Sequence, residues 1–184
     1  MKGTYSETEI LELISDDSHF DKGFRFLVET FQERLYWHIR RMVHVHADAD
    51  DVLQDTFIKV AKNIRSFDGR AKLYTWLYRI ATNQAIDHLN KKKRQVRVAR
   101  EESFDRLITD DPYFDGEKVE IALKKAIDTL PAKQRVVFNL RYYDEMSYKE
   151  MSAVTETSIG ALKASYHHAV KKIEHYITER ALDI

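Results

Sequence analysis

The chain has 184 residues and a formal net charge of zero, a length that allows one ordinary domain or two small ones and a balance that argues against a generally adhesive polycation. It has no cysteine, which removes structural disulfides, thiolate zinc sites and cysteine nucleophiles, and fits a reducing compartment. The N-terminus is acidic and amphipathic, and no apolar run approaches the roughly 20 residues that cross a bilayer. A soluble, cytoplasmic protein with neither signal peptide nor membrane insertion is therefore expected. Two prolines and five glycines give little punctuation, and the apolar periodicity is helical nearly throughout, so the fold class is all-α.

In chain order, Ser6-x-x-Glu9 forms a capping box before Ile10, Leu11 and Ile14, and a longer helical pattern runs from about Lys22 to Val45. His44, His46, Asp48 and Asp50 then alternate in a way that resembles a metal-ligand string, which would suit a helical metallohydrolase. Alternation puts both histidines on one side only in a strand, whereas the flanking pattern is helical and no second ligand cluster follows. From Asp48 the segment DADDVLQDTFIKVAKNI puts Leu53, Phe57, Val60, Ala61 and Ile64 on one helical face, and Asp51, Asp55, Lys59 and Lys62 on another. Acids in its first turn suit the helix dipole, as in any well-started surface helix.

The stretch from Ser66 to Arg100 holds a glycine turn, the aromatics Phe67, Tyr74, Trp76 and Tyr78, and a helix displaying Arg79, Asn83 and Asp87 at four-residue spacing. Aromatic rings beside cations grip unpaired nucleic acid, so this stretch reads as a single-strand contact. Tyr74, Leu77, Tyr78 and Ala81 also fit an ordinary core, which leaves Phe67 and Trp76, near the turn, as the stacking candidates. The charge is segregated: His88 to Arg100 carries Lys91, Lys92, Lys93, Arg94, Arg97 and Arg100 without an acid, and Glu101 to Glu117 carries seven acids against Arg106 alone. A basic helix end also suits the C-terminal dipole, so solvated lysines remain an alternative there.

From Asp105 to Lys118 the chain is polar, acidic and broken by Pro112 and Gly116, a flexible linker and the best domain boundary. Beyond it, Val119, Ala122, Leu123, Ala126, Ile127 and Leu130 form an amphipathic stripe stopped at Pro131, and a second short helix passes through Val137 and Leu140. A second capping box, Ser147-x-x-Glu150, opens a helix through Met151 to Val154, and Thr155 to Thr157 break it. The last helix directs Ile159, Leu162, Tyr166, Ala169, Ile173 and Ile177 inward and Gly160, Lys163, Ala164, His167 and Lys171 outward. A short helix, a tight turn and a long helix with a small, basic outer face describe a helix-turn-helix, although such hairpins also occur as plain structure. Small residues let a backbone approach a groove floor while lysines reach phosphates.

Taken together, DADDVLQDTFIKVAKNIRSFDG, TWLYRIATNQAIDHLNKKKR and LPAKQRVVFNLRYYDEMSYKEMSAVTETSIGALKASYHHAVKKI are collinear, from about Phe24 to Ile177, with the extracytoplasmic-function (ECF) group of sigma-70 family RNA polymerase sigma factors, which the chain resembles. The resemblance implies two small helical domains joined by a flexible linker: a sigma core bundle over 1–94, a linker over 95–117 and a helix-turn-helix domain over 118–184. It implies an alternative sigma factor, not an enzyme, with no catalytic residue, metal or cofactor. Asp51, Gln54, Asp55 and Phe57 match the segment that docks on the β′ clamp helices of core RNA polymerase, which also brings the β subunit as partner. Phe67, Trp76, Arg79, Asn83, Asp87, Lys91, Lys92, Lys93 and Arg94 match the segment that captures the non-template strand of the minus-ten promoter element. An amide beside a carboxylate offers donors and acceptors to an extruded base, and the cations hold phosphates. Ser158, Lys163, Ala164, His167, His168 and Lys171 match the surface that reads minus-thirty-five duplex DNA.

Many family members have arginine where this chain has Ser165 and His168, so His168 implies weaker or pH-sensitive DNA binding. The linker, as a flexible tether, would average about 25 Å, and its acidity is suited to mimic nucleic acid in the polymerase RNA channel. The resemblance also implies an anti-sigma factor as partner and a monomer when free of partners. A one-component regulator that uses only its helix-turn-helix is the alternative, but such a protein has no need of the acidic helix and the aromatic segment before it.

Overall fold

The computed structural model describes residues 5–98 and 118–181, so most of the expected 95–117 linker, including its acidic part, lies outside the described residues. The helices are α1 (Glu7–Ser15), α2 (Phe20–Val43), α3 (His46–Asn63), α4 (Leu73–Val98), α5 (Lys118–Asp128), α6 (Ala132–Tyr142), α7 (Tyr148–Thr155) and α8 (Ile159–Ala181), with a 3-10 turn at Ile64–Ser66. The described residues contain no strand, as the helical periodicity requires. None of their helices is long and apolar enough to cross a membrane. Two compact units form, with the main division after Asn90.

In the first unit, α1 starts on its capping box: Glu9 N–H donates to Ser6 Oγ at 3.2 Å, and Ser6 N–H donates to the Glu9 carboxylate at 2.8 Å. Ile10 and Ile14 are buried against α2, where Gly23 permits a close crossing. A Cβ on Gly23 would stand 2.8 Å from both the Ile14 nitrogen and Leu13 Cβ. Helix α2 buries Leu27, Phe31, Leu35, His38, Ile39, Met42 and Val43, a stripe of three- and four-residue steps, and ends at His44 in the left-handed conformation, φ 65°.

Helix α3 corrects the expected stripe. Its buried line is Ala49, Val52, Thr56 and Val60, continuing to Ile64, while Leu53, Phe57 and Ala61 are half-buried along one edge. The cause is Thr56, a polar residue that is fully buried because its hydroxyl donates back to the Val52 carbonyl at 2.7 Å. Helix α4 buries Leu73, Leu77, Tyr78, Ile80, Ala81 and Ala85 together with Thr75 and Thr82, so Leu77, Tyr78 and Ala81 belong to the core. The helix continues to Val98, past the expected start of the linker.

In the second unit, α5, α6 and α8 enclose Ala126, Ile127, Leu130, Phe138, Ala169 and Ile173, with Leu123, Tyr166, Val170, Tyr176 and Ile177 packed around them. Pro131 separates α5 from α6, and Asp128 at the end of α5 faces Arg135 of α6 at 3.7 Å. The second capping box forms as expected, with Glu150 N–H donating to Ser147 Oγ at 3.3 Å. Ile159 does not point inward: it is 43 % exposed, because α8 begins there and first meets the core at Leu162.

Candidate nucleic-acid interface

The turn before α4 is set by Asp68 and Gly69. Gly69 sits at φ 71°, a conformation that disfavours other side chains, and Asp68 accepts from the Arg70 backbone N–H at 3.1 Å and from Arg70 Nε at 2.6 Å. Those bonds, the backbone one foremost, hold the Asp68 carboxyl below its ordinary range. The turn brings Phe67 against Trp76, one turn inside α4, with ring centroids 5.5 Å apart at 57°. Both rings are half-buried, which leaves part of each to solvent. Ser66, Phe67, Asp68, Arg70, Ala71, Trp76 and Arg79 line a recess of about 360 Å³, within the roughly 300–1,000 Å³ of small-ligand pockets.

From the rim of that recess the exposed side chains Arg79, Asn83 and Asp87 form one column up α4, spanning about 12 Å at 1.5 Å per residue. The helix then presents Lys91, Lys93 and Arg94, exposed, and Lys92, half-buried. The structure thus brings Phe67, Trp76 and Arg79 into one recess and aligns Asn83, Asp87 and the basic run beyond it. Asp68 and Arg70 complete the wall; the Asp-Gly dipeptide was the sequence signal for them.

The rest of α4 faces its neighbours through polar contacts. His38 of α2 shares a 2.9 Å hydrogen bond with Thr82, Lys59 of α3 donates to Gln84 at 3.2 Å, and His88 meets Asp48 of α3 at 3.5 Å. Asp48 is thereby directed to α4, and His46 bonds Tyr36 at 2.6 Å and pairs with Asp50 at 3.6 Å. Among the described residues no three His, Asp or Glu side chains are grouped to hold a metal ion.

On α3, Asp51, Gln54 and Asp55 are exposed and share a ridge with Ile58, which is 47 % exposed. Phe57 lies half-buried on the flank. Ile58 escaped the sequence reading, although its place seven residues beyond Asp51 was a visible signal: an apolar side chain off the core stripe.

In the second unit Ser158 caps α8, its Oγ accepting from the Ala161 N–H at 3.3 Å. Ser158, Lys163, Ala164, His167, His168 and Lys171 are all exposed, with the His167 and His168 rings 5.9 Å apart. Lys163 stands over the Tyr148 ring of α7 at 5.8 Å, and Arg141 of α6 approaches the same ring at 5.5 Å. A cationic surface with small residues at its centre is suited to duplex phosphates and base edges.

The chain matches the sigma-70 region 2 family over residues 27–95 and the sigma-70 region 4 family over residues 120–173. It is 33 % identical over 156 residues to the ECF RNA polymerase sigma factor SigW of Bacillus subtilis, covering 79 % of this chain and 83 % of SigW. It is 28 % identical over 169 residues to the RNA polymerase sigma-H factor of Pseudomonas aeruginosa, covering 83 % of this chain and 85 % of that protein. The fold is similar, with a TM-score of 0.72 at 22 % identity over 85 % of this chain and 98 % of the other, to the sigma factor RpoE of Bartonella quintana in co-crystals with the anti-sigma factor NepR. Both regions therefore occur in the order that the aromatic recess and the helix-turn-helix require, and the chain belongs to the ECF sigma factors of the sigma-70 family.

Proposed function

We propose that this ECF sigma factor, which directs promoter-specific transcription initiation, divides its work among three surfaces. Asp51, Gln54, Asp55 and Phe57, with Ile58 at the C-terminal end of their ridge, dock on the β′ clamp helices of core RNA polymerase. Phe67 and Trp76 stack on an unpaired base of the minus-ten non-template strand, Asn83 and Asp87 offer hydrogen bonds to its pairing edge, and Arg79, Lys91, Lys92, Lys93 and Arg94 hold phosphates. Ser158, Lys163, Ala164, His167, His168 and Lys171 lie along minus-thirty-five duplex DNA.

The observation that carries this reading is the half-open Phe67–Trp76 recess with Arg79, Asn83 and Asp87 in one column above it. Such a site stabilises the open strand by binding. It offsets an unpairing cost of a few kcal/mol per extruded base, so melting needs no covalent chemistry. The working arrangement is residues 1–94 as core domain, 95–117 as linker and 118–184 as minus-thirty-five domain. The protein acts in the cytoplasm, as a monomer when free of partners, and the RpoE–NepR complex supports an anti-sigma factor as its regulator.

Capture of core RNA polymerase by the purified chain, followed by transcription from a cognate promoter in vitro, tests the assignment. Core enzyme that binds the chain yet initiates nowhere would sink it. Duplex binding without any affinity for core enzyme would favour the one-component regulator.

A further inference from the structure

Helix α4 receives its N-terminal cap from a residue far away in sequence. Leu73 N–H donates to Glu7 Oε2 at 3.0 Å, and Tyr74 N–H donates to Glu7 Oε1 at 3.3 Å, a link across 66 residues. One carboxylate thus satisfies two of the otherwise orphaned donors of α4 and places negative charge at the positive end of its dipole. Glu7 is itself fixed. It lies in the first turn of α1, between the capping-box residues Ser6 and Glu9, and α1 is anchored by buried Ile10 and Ile14 at the close crossing with Gly23. Before the helix, the Tyr5 ring stacks on Phe26 with centroids 3.6 Å apart.

Two residues beyond Tyr74 stands Trp76, whose N–H donates to the Lys72 carbonyl at 3.2 Å. Phe67 and the Asp68–Gly69 turn precede the capped residues. We infer that Glu7 is a positioning residue for minus-ten strand capture: its carboxylate fixes the first turn of α4 and so the angle at which Trp76 meets Phe67. This rests on the minus-ten reading above. Glu7 touches neither DNA nor polymerase; it acts through Trp76.

The test uses holoenzyme assembled from core polymerase and the full chain, with a labelled non-template minus-ten oligonucleotide as probe. Glu7→Ala should weaken oligonucleotide binding about fivefold, the scale of a lost helix cap, and leave affinity for core polymerase unchanged. Glu7→Gln, which keeps one acceptor oxygen, should recover part of the loss. In a Trp76→Ala background, Glu7→Ala should have little further effect, because the ring it positions is gone. Unchanged oligonucleotide binding, a parallel loss of core affinity, or full additivity with Trp76→Ala would each overturn the inference. If the unsubstituted holoenzyme failed to bind the oligonucleotide, the minus-ten reading itself would fall and this inference with it.

Discussion

Replacing Trp76 with alanine removes a ring that has two separable roles. Inside the protein it packs against Phe67 at 5.5 Å; truncation of a fully buried tryptophan costs about 3–5 kcal/mol. Because Trp76 is only half-buried, roughly half of that, about 2 kcal/mol, should be lost from the first unit and appear as a shift of about 8–16 °C in the melting of that unit. On its open side the ring forms a wall of the recess, and in the proposed DNA contact base–aromatic stacking is worth about 1–3 kcal/mol, or about 5- to 150-fold in affinity. The assay is fluorescence anisotropy of the minus-ten oligonucleotide with reconstituted holoenzyme, read beside a titration of core polymerase. Trp76→Phe keeps a stacking face and should stay within about threefold of the unsubstituted protein. Asn83→Ala, at an exposed position, should impair open-complex formation with no melting shift. Oligonucleotide affinity unchanged by Trp76→Ala, or falling only in step with core affinity, would refute the stacking argument and move this segment from DNA contact to fold.

Ile58→Asp should leave folding intact, since its side chain is 47 % exposed, yet weaken binding to core polymerase by about 30-fold if it is an interface anchor worth about 2 kcal/mol; competition against another sigma factor measures this. Gly23→Ala should destabilise the first unit by about 1–3 kcal/mol in thermal melts, because the new Cβ would strike the backbone of α1 and not a flexible side-chain end. Burial raises the Asp128 carboxyl above 3.8, and the guanidinium of Arg135 only partly opposes it. Between 3.8 and that raised value the folded state binds the proton more tightly than the unfolded chain, so this group adds stability as pH falls through the window and loses it as pH rises. Asp128→Asn should abolish that component in melts of the two proteins compared across acidic pH.

What the sequence revealed follows the range of the forces involved. Both capping boxes were legible because each partner lies three residues from the other, and both form with the expected bonds. The helix-turn-helix was legible for the same reason, since its break, its small outer face and its apolar stripe are local patterns. The stripe of α3 was displaced by one residue because periodicity classes Thr56 as polar, whereas a hydroxyl that bonds its own helix is buried at little cost. Ile58 lies off both the expected and the observed stripe, and its exposure follows once Val52, Thr56 and Val60 occupy the core. Glu7 was beyond reach: nothing within α1 signals that its carboxylate serves a helix 66 residues away.

The polar contacts around α4 decide how its exposed column of Arg79, Asn83 and Asp87 is aimed. An apolar stripe such as Leu73, Leu77, Ala81 and Ala85 tolerates a modest rotation of the helix about its axis, because hydrophobic burial is not directional. Hydrogen bonds do not, since they weaken steeply with angle. Glu7 of α1 accepts from the Leu73 and Tyr74 N–H groups, Thr82 is held by His38 of α2, and Gln84 is held by Lys59 of α3. Four contacts from three helices thus set the rotation, and one residue of misregister, about 100°, would carry Arg79, Asn83 and Asp87 off the side that holds the recess. Burying histidine and threonine at α2 and α4 costs desolvation that an all-apolar seam would not, and their mutual hydrogen bond offsets that cost. The polar seam therefore contributes direction where the apolar core contributes most of the stability, and direction is what the proposed single-strand contact requires of this helix.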